Sequence, residues 1–405
     1  MSQETGTDVG HDEDDLPLLI RVSGRDRPRL TRDLLGLVAA AGAQLEDMEQ
    51  LVVRERLTLD VLVRLDGASD ALLRDILFWG FRHDLSIDFE RVEAHSQRAS
   101  RRRHAVTVLG RPLTPTALAA VSDAIADTGG NIDRIVRLAT TPVTAYDLVV
   151  IAGDVEAMRR TLVEVARDHG IDVAVQVNGL ERRAKRLVVM DVDSTLIVDE
   201  VIELLAEEAG RLDEVADITA RAMAGELDFE ASLRERVRLL AGLDGAAIER
   251  ARSRITLTPG ARTFVRTLKR LGFCVAIVSG GFTPFTDWLR TELDLDYAYA
   301  NSLEVVDGVL TGEVVGPIVD RAEKARLLGR IAAAQGVPLS QTVAVGDGAN
   351  DLDMLAAAGL GIAFNAKPVV RAQADTTVSV PYLDAILFML GIRGVDVDRA
   401  DDTRP

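Results

Sequence analysis

The chain has 405 residues, of which 47% are hydrophobic and 27% are charged, and its formal net charge is −17. This length predicts two or three domains. The acidic charge argues against nucleic acid or an anionic membrane as a main partner, because both present negative charge. It is compatible with a small anionic substrate in a local basic pocket. The single cysteine excludes an intramolecular disulfide.

The first seventeen residues, MSQETGTDVGHDEDDLP, form an acidic stretch that we interpret as a disordered, solvated tail. They lack the basic start and the apolar run of a secretory signal peptide. The chain also has no run of about 18 apolar residues that would predict a membrane span. We therefore expect a cytoplasmic protein without a membrane partner.

The histidines are confined to the first part of the chain: His11, His83, His95, His104 and His169. A catalytic domain in the second half must therefore work without histidine. The sequence also argues against cysteine chemistry there, because a cysteine phosphatase loop needs an arginine six residues after its nucleophile and Gly280 stands at that distance from Cys274.

The order strand, helix, strand, strand, helix, strand is predicted twice in the first half of the chain. In the first copy, PRLTRDLLGLVAAAG has apolar residues at helical spacing and ends at Gly42. The first helix of the second copy ends at Gly129, 87 residues later. We interpret the repeat as a duplicated ferredoxin-like unit, with copies over 18–96 and 104–180.

Each copy resembles the ACT domain, a small regulatory module that often binds amino acids between copies. The segment SGRDRPRL (23–30) resembles the family's ligand loop between the first strand and the first helix, and LGRPLTPT (109–116) is a weaker match. The resemblance implies regulation by an amino acid such as L-serine. It also implies a homodimer, because such units usually pair edge to edge or through their helices.

Two basic stretches flank the second copy: QRASRRRH (97–104) and ERRAKR (181–186). Nucleic-acid binding is one interpretation of such stretches, and solvated linkers or strand edges are the other. The strongly negative net charge favours the second interpretation, so we expect both stretches to mark domain boundaries.

The pattern changes at Leu187, where short apolar runs begin to alternate with helical segments. The runs are LVVMD, FCVAIVS, TVAVGD and LGIAF. Strands of a parallel sheet that is buried on both faces have this composition. We expect an α/β domain over 187–393, followed by a loose tail over 394–405.

Polar residues follow three of these runs: Asp191, Ser279 and Asp347. In a parallel sheet the carboxyl ends of the strands meet at one edge, where ligands bind. Asp191 and Asp193 are close enough to raise each other's pKa, and a hard cation such as Mg²⁺ would stabilise both as anions. Taken singly, each motif has an ordinary alternative: DVDSTLIVDE could start a helix, and GDGAND could be a turn.

Four motifs together resemble those of the haloacid dehalogenase superfamily, in the same order: DVDST from Asp191, SGG from Ser279, Lys324, and GDGAND from Gly346. The resemblance is strongest for the phosphoserine phosphatase branch. The segment ITARAMAGELDFEASLRERVRLLAGL (218–243) resembles that branch's helical cap, expected over about 200–257. With two ACT-like units in front, the chain resembles the long actinobacterial type.

The resemblance implies catalytic roles for Asp191, Asp193, Ser279 and Lys324. Asp191 would attack phosphorus and form an aspartyl phosphate. Asp193 would protonate the leaving oxygen and later deprotonate the hydrolytic water. Ser279 and Lys324 would hold the phosphoryl oxygens. Mg²⁺ would be bound by the side chains of Asp191 and Asp347 and by the main-chain carbonyl of Asp193.

The resemblance also implies which residues bind the substrate, O-phospho-L-serine: Glu200, Met223, Phe229, Arg236, Ser279, Gly280, Lys324 and Asn350. Glu200 would bind the ammonium group and Arg236 the carboxylate, with Arg234 and Arg238 as neighbouring alternatives. Met223 and Phe229 would pack over the substrate, and a role in the core of the cap is an equal alternative.

Three functions stay open at this point. The first is hydrolysis of O-phospho-L-serine to L-serine and phosphate, the last step of serine biosynthesis. The second is a related phosphatase or phosphotransferase acting on another phosphomonoester or a phosphoprotein. The third is an amino-acid sensor with a vestigial phosphatase domain. Glu200 and Arg236 favour the first, and the complete set of motif residues argues against the third.

Overall fold

A computed structural model describes residues 16–65, 70–92, 103–179, 182, 184–223, 226–374 and 376–401. The chain divides into two compact units, Met1–Ser100 and Arg101–Pro405. Within the described ranges, no helix is long and apolar enough to cross a membrane. The expected N-terminal tail lies outside the described residues, except for Leu16 and Pro17.

The first unit contains the first ACT-like copy. Its elements are, in chain order, β1 (Leu18–Arg25), α1 (Leu30–Ala40), β2 (Gln44–Val53), β3 (Arg56–Arg64), α2 (Asp70–His83) and β4 (Leu85–Arg91). The strands form an antiparallel sheet in the order β2-β3-β1-β4. The predicted βαββαβ order is therefore confirmed for this copy.

One face of this first sheet is apolar and the other is charged. In the central strand β1, buried residues such as Ile20 and Val22 alternate with more exposed ones, as the two-residue period of a strand requires. The buried residues pack with Leu34 and Ile76 of the two helices. On the opposite face Arg21 forms ion pairs with carboxylates of neighbouring strands.

The second unit begins with the second ACT-like copy. Its elements are β5 (Arg103–Gly110), α3 (Pro115–Asp127), β6 (Gly130–Ala139), β7 (Thr144–Ala152), α4 (Val155–His169) and β8 (Asp172–Val177). The sheet order β6-β7-β5-β8 repeats the order of the first copy. Asp154 caps α4 by accepting hydrogen bonds from the amides of Glu156 and Ala157, which would otherwise lack partners.

The second copy packs its open sheet face against the domain that follows. All residues of β5 except the first are buried, so both faces of this strand are covered. Leu109 and Ala174 belong to the same buried core as Phe264 and Leu387 of the following domain. Gln176 Nε2 also donates a hydrogen bond to the carbonyl of Met389, at 2.8 Å.

The interpretation of ERRAKR as a solvated linker is wrong for two of its side chains. Arg182 is buried and forms an ion pair with Asp147, with Nη1 and Oδ2 2.8 Å apart. Lys185 is also buried, and its Nζ donates to the carbonyl of Ser340 at 2.6 Å. A basic side chain can be buried when an acceptor compensates for lost water. In the other stretch, residues 97–102 lie outside the described part.

The α/β domain follows, and its elements begin with β9 (Leu187–Met190), α5 (Val201–Glu208), α6 (Leu212–Met223), α7 (Phe229–Arg238), α8 (Gly245–Ser253), α9 (Ala261–Arg270), β10 (Cys274–Phe282), α10 (Thr283–Glu292), β11 (Tyr297–Val306) and β12 (Val309–Val315). They continue with α11 (Arg321–Ala334), β13 (Thr342–Gly346), α12 (Leu352–Ala357), β14 (Gly361–Phe364), α13 (Pro368–Arg371), β15 (Thr376–Val378), α14 (Ile386–Met389) and α15 (Gly394–Asp401).

The sheet of this domain has seven strands in the order β12-β11-β10-β9-β13-β14-β15, and β12 runs antiparallel to its neighbour β11. The other neighbouring pairs are parallel. Val188 of the central strand β9 and Val189 beside it belong to two different cores, because successive side chains point to opposite faces. The predicted α/β fold with a sheet buried on both faces is confirmed.

Four helices, α5 to α8, lie in the sequence between β9 and α9, where the helical cap was predicted. Aspartates begin two of them: Asp228 Oδ1 accepts from the amide of Ala231, and Asp244 Oδ1 accepts from the amide of Ala247. The short polar side chain satisfies an amide that has no partner within the helix. The Asp228 cap fixes where α7, which carries Phe229, starts.

The prediction of a loose tail over 394–405 is wrong for the first part of this segment. Residues Gly394–Asp401 form the helix α15, and Val397 is buried in the main core. Arg393 donates to Asp396 at the start of this helix. One apolar residue in an acidic segment gives too weak a sequence pattern to predict a docked helix.

Candidate active site

Three neighbouring strands supply the polar residues of one sheet edge. Asp191 directly follows the central strand β9, Ser279 lies near the end of β10, and Asp347 directly follows β13. Strands β10 and β13 pair with β9 on either side. The sequence order of the motifs is thus converted into a spatial cluster at the carboxyl ends of parallel strands, where α/β proteins bind ligands.

Lys324 lies at the centre of a buried charge network. Its side chain is 1% exposed, and its Nζ is 2.8 Å from Asp191 Oδ1 and 2.8 Å from Asp351 Oδ1. The first turn of α11 carries this lysine, and Asp320 caps the helix by accepting from the amide of Glu323. The lysine ammonium therefore fixes the orientation of the Asp191 carboxylate.

Asp193 is held from two sides. The amide of Val201 donates to its Oδ1 at 2.8 Å, and the hydroxyl of Ser279 donates to its Oδ2 at 3.1 Å. Burial raises the pKa of Asp193, and these two hydrogen bonds oppose the rise. A carboxyl group with a raised pKa and a fixed orientation is suited to act as a general acid.

The acidic groups of the edge outnumber its basic group. Burial and the neighbouring Asp351 raise the pKa of Asp191 well above its usual value. Burial and Asp351 also raise the pKa of Asp347 to about 6, against a hydrogen bond from Thr195. Burial alone would lower the pKa of Lys324, but the charges of Asp191 and Asp351 raise it, so the lysine stays protonated.

The same carboxylates form a set that fits a metal ion. Asp191, Asp347 and Asp351 each offer an oxygen, and these oxygens lie within 4.8 Å of one another. When all three are ionised, Lys324 leaves two negative charges uncompensated. A hard divalent cation matches both this charge and the oxygen donors.

A cavity of about 690 Å³ joins the sheet edge to the cap. Its lining includes Asp191, Asp193 and Asp347 from the edge, and Glu200 and Arg236 from the start of α5 and from α7. Residues of opposite charge therefore face one compartment next to the carboxylate cluster. A small molecule with both ammonium and carboxylate groups is complementary to such a lining.

The structure separates the three arginines of RERVR. Arg236 lines the cavity. Arg234 forms an ion pair with Glu230 of the same helix, and Arg238 lies 3.9 Å from Glu313. The seven-residue spacing from Phe229 brings Arg236 to the cavity, because residues seven apart share one helix face.

Glu200 precedes α5 and lines the cavity, and Ser194 donates a hydrogen bond to its Oε1 at 2.9 Å. Desolvation and the neighbouring charge of Asp193 raise the pKa of Glu200 to about 7. Its carboxylate can therefore gain or lose a proton near neutral pH. A bound ammonium group would favour the ionised form.

The remaining expected substrate-binding residues have different positions. Phe229 lies over Gly280, since a Cβ added to that glycine would be 3.2 Å from the phenyl Cζ. Phe229 also packs against the main core, so both of its expected roles are compatible with its place. Asn350 lines the cavity. Met223 ends α6, and its side chain lies outside the described part of the chain.

Sequence reasoning missed three residues of this edge. Thr195 donates to Asp347 Oδ1 at 3.1 Å, and Asp351 holds Lys324 and accepts from the amide of Gly348. Thr195 lies in the motif DVDST and Asp351 in the motif GDGAND, so their positions in these motifs could have identified them. Lys367 lines the cavity from the loop after β14. It lies outside the four motifs, and nothing in the sequence singles it out.

Comparisons with known proteins agree with this arrangement. A model of haloacid dehalogenase-like hydrolases matches residues 188–356, and two ACT-domain models match residues 17–90 and 102–176. Phosphoserine phosphatase of Streptomyces coelicolor is 55% identical over 96% of this chain and 95% of its own length. The chain belongs to the phosphoserine phosphatase family.

A second phosphoserine phosphatase supports this family assignment, and a solved structure agrees with the haloacid dehalogenase fold. Phosphoserine phosphatase SerB2 of Mycobacterium tuberculosis is 49% identical over 95% of each chain. A crystal structure of a haloacid dehalogenase family hydrolase from Salmonella enterica is 32% identical, covers 71% of this chain and 98% of its own, and superposes with a TM-score of 0.63. The similarity to both phosphoserine phosphatases extends over nearly the whole chain, so it includes both ACT domains and the cap.

Proposed function

We propose that the chain hydrolyses O-phospho-L-serine to L-serine and phosphate, which completes serine biosynthesis. The observation that carries this proposal is the shared cavity, in which the carboxylate edge around Asp191 faces both Glu200 and Arg236. The names of the relatives support the same substrate. The described edge keeps all the motif residues, which argues against a vestigial phosphatase domain.

The first chemical step assigned to the site is phosphoryl transfer to Asp191. Its carboxylate oxygen forms a bond to phosphorus while the bond from phosphorus to the serine oxygen breaks. The leaving oxygen takes a proton from Asp193, whose pKa is raised by burial. The Ser279 hydroxyl and the Lys324 ammonium are placed beside Asp193 and Asp191, where they can stabilise charge on the phosphoryl oxygens.

The second step is hydrolysis of the aspartyl phosphate. Asp193, now ionised, accepts a proton from water, and the water oxygen attacks phosphorus and releases Asp191. Phe229, which lies over Gly280, and the cap residues that line the cavity would restrict the access of other water. The same carboxyl group thus serves first as acid and then as base, and no histidine is needed.

We assign Mg²⁺ as the metal of this site. The side chains of Asp191 and Asp347 and the main-chain carbonyl of Asp193 would hold it, and the Asp351 carboxylate lies close enough to contribute. When bound, the ion supplies positive charge that keeps Asp191 ionised and offsets charge on the phosphoryl group. Mg²⁺ suits a set of carboxylates that it shares with phosphate and water.

The test is phosphate release from O-phospho-L-serine, with phosphothreonine and a simple aryl phosphate as competing substrates. We expect phosphoserine to react fastest, and EDTA to abolish the reaction. Asp191→Asn should lower kcat at least about 1,000-fold, whereas Asp217→Asn on the exposed surface of the cap should not change it. Faster turnover of the aryl phosphate than of phosphoserine would contradict the substrate assignment.

The role of Glu200 can be tested through its pKa of about 7. Glu200 is neutral below this pH and anionic above it, so binding of the substrate ammonium should improve as pH rises through about 7. The ratio of kcat/KM for phosphoserine to kcat/KM for an aryl phosphate should therefore increase across this range. The aryl phosphate shares the phosphate titration but has no ammonium. Glu200→Gln should flatten the ratio, and an unchanged profile would contradict the assignment.

ACT domains generally bind amino acids, and we propose L-serine as the regulatory ligand, bound at the loop 23–30 of the first copy. In the second copy the corresponding loop is engaged, because Arg111 Nη1 donates to the hydroxyl of Tyr382 at 2.6 Å. Asp26 is the one carboxylate of the loop 23–30, and an ammonium group needs such a partner. Calorimetry with L-serine should show binding that Asp26→Ala weakens at least tenfold and Arg111→Ala leaves unchanged.

We also propose that the chain forms a homodimer through its first unit. The helix α2 exposes Leu77, Phe78 and Phe81, and Phe81 is 84% exposed. Exposed apolar patches of this kind are typical of protein interfaces, and a second copy of the chain offers the same patch. Sedimentation analysis should give a dimer that Phe81→Ser weakens and Val163→Ser, a single exposed apolar residue on α4, does not.

A further inference from the structure

Asn301 is a fully buried amide that joins two segments of the catalytic domain. It lies on β11, and its exposure is 0%. Its Nδ2 donates to the carbonyl of Gly280 at 2.7 Å, and its Oδ1 accepts from the amide of Val319 at 2.8 Å. The side chain does not line the substrate cavity. Any effect of Asn301 on catalysis must therefore pass through the groups that it holds.

The bond to Gly280 orients the hydroxyl of Ser279. The carbonyl of Gly280 and the N–H of Gly281 belong to one planar peptide group, and in a trans peptide they point in opposite directions. Because Asn301 fixes the carbonyl, the N–H of Gly281 is aimed at Ser279 Oγ, to which it donates at 2.7 Å. The Ser279 hydroxyl in turn donates to Asp193 Oδ2.

The bond from Val319 fixes which way the Asn301 amide faces. Because the Val319 N–H occupies the amide oxygen, the amide nitrogen must face Gly280. An aspartate would present an oxygen to the Gly280 carbonyl, and a leucine would satisfy neither backbone group. The site therefore requires a side chain that donates on one side and accepts on the other.

We propose that Asn301 is a positioning residue that sets the Ser279 hydroxyl against Asp193 by holding the peptide group between Gly280 and Gly281. This inference rests on the proposed phosphatase function of the site. Loss of the amide lets this peptide rotate, so that the hydroxyl no longer has a fixed direction. Small displacements of a catalytic group can lower rates about 100-fold.

The experiment measures kcat, KM and unfolding temperature for full-length Asn301→Asp and Asn301→Ser. The aspartate variant keeps the shape but introduces a carboxyl group, whereas the serine variant adds no charge and removes the amide. We expect kcat for phosphoserine to fall about 30- to 100-fold in either variant while KM changes less than about threefold. Gln176→Leu is the matched control, because it also removes a buried amide that donates to a carbonyl in the same unit, at 2.8 Å.

A double-mutant cycle with Ser279→Ala separates positioning from stability. If Asn301 acts through Ser279, its substitution should lower kcat less than about threefold once the hydroxyl is absent. An undiminished loss in the Ser279→Ala background would overturn the inference. The inference would also be overturned if the Asn301 variants lowered the unfolding temperature as much as Gln176→Leu does but left kcat unchanged. Absence of any phosphatase activity in the unsubstituted chain would refute the proposed function instead.

Discussion

The two ACT-like copies share a strand order and a central aspartate, yet this aspartate meets different partners in each copy. In the first copy Asp60 of β3 lies opposite Arg21 of β1, which also pairs with Glu90 at 2.9 Å. In the second copy Asp147 lies opposite Thr107 at the same register. Its arginine partner, Arg182, comes from the segment that leads to the catalytic domain.

Burial separates these two ion pairs further. The Arg21 side chain is 45% exposed, whereas that of Arg182 is 8% exposed. The open sheet face of the second copy is part of the catalytic core, and that of the first copy is a charged surface. A duplicated fold has thus kept one copy available for other contacts and has made the other a structural part of the enzyme.

Substitution of Arg182 and of Arg21 should give the largest difference in stability between the two copies. Arg182→Met leaves Asp147, whose side chain is 14% exposed, without its charge partner, so we expect it to lower the free energy of unfolding by about 3–5 kcal/mol. Arg21→Met breaks an exposed cluster and should cost about 0–1 kcal/mol. Each tryptophan reports one unit: Trp79 the first and Trp288 the second. Urea unfolding of Trp79→Phe and Trp288→Phe backgrounds would measure each effect separately.

Equal costs for the two arginine substitutions would contradict the distinction between a structural and an accessible copy. Arg182→Lys is a useful intermediate, because it keeps the charge but loses the two-nitrogen contact with Asp147. We expect the free energy of unfolding of Arg182→Lys to lie between those of the wild type and Arg182→Met.

The next largest difference in stability should come from exchanging equivalent residues on the open sheet faces of the two copies. Leu109 in the second copy and Ser23 in the first occupy equivalent register positions, opposite Ala145 and Thr58. Leu109→Ser removes a fully buried side chain from the shared core and should cost about 2–5 kcal/mol. Ser23→Leu changes an exposed position and should stay within about 0.5 kcal/mol. A large cost of Ser23→Leu would show that the first copy's face is also covered.

A smaller effect than that of Arg182→Met or Leu109→Ser is expected at Asp172, which accepts from the amide of Ser379 and the hydroxyl of Thr377. Asp172→Ala removes both hydrogen bonds and should cost about 1–3 kcal/mol. Burial raises the pKa of Asp172, so the folded protein takes up a proton that the unfolded chain has lost. Stability relative to Asp172→Asn should therefore decrease as pH rises above about 4, the usual aspartate pKa. A pH-independent difference would contradict this assignment.

The sheet of the catalytic domain could be predicted because each strand has its own local signal. Runs such as LVVM and TVAVG are apolar at successive positions, which indicates burial on both faces. The hairpin between β11 and β12 was missed, although Asp307 and Gly308 are a typical two-residue turn and both have positive φ. An apolar run that indicates burial on both faces was also present in β5. Its sequence HAVTVLG is nearly all apolar, whereas apolar and polar residues alternate in β1.

Contacts between distant segments could not be predicted from the sequence. The basic stretch 181–186 has the same composition whether it is solvated or buried, and only the fold brings Asp147 to Arg182. Asn301 is likewise one polar residue in a strand until Gly280 and Val319 are placed beside it. Motif residues were easier to identify, because their chemistry restricts the residue types at several fixed positions together.

Burial of Arg182 and Lys185 has a consequence for proteolysis. A segment with four basic residues between two domains is an obvious target for trypsin, which must take an arginine or lysine side chain into its own pocket. Here the Arg182 guanidinium is bound by Asp147 and Thr107, and the Lys185 ammonium by a backbone carbonyl. Cleavage after either residue would require the second ACT-like copy to separate locally from the catalytic domain, so the rate of cutting there would report how often that separation occurs.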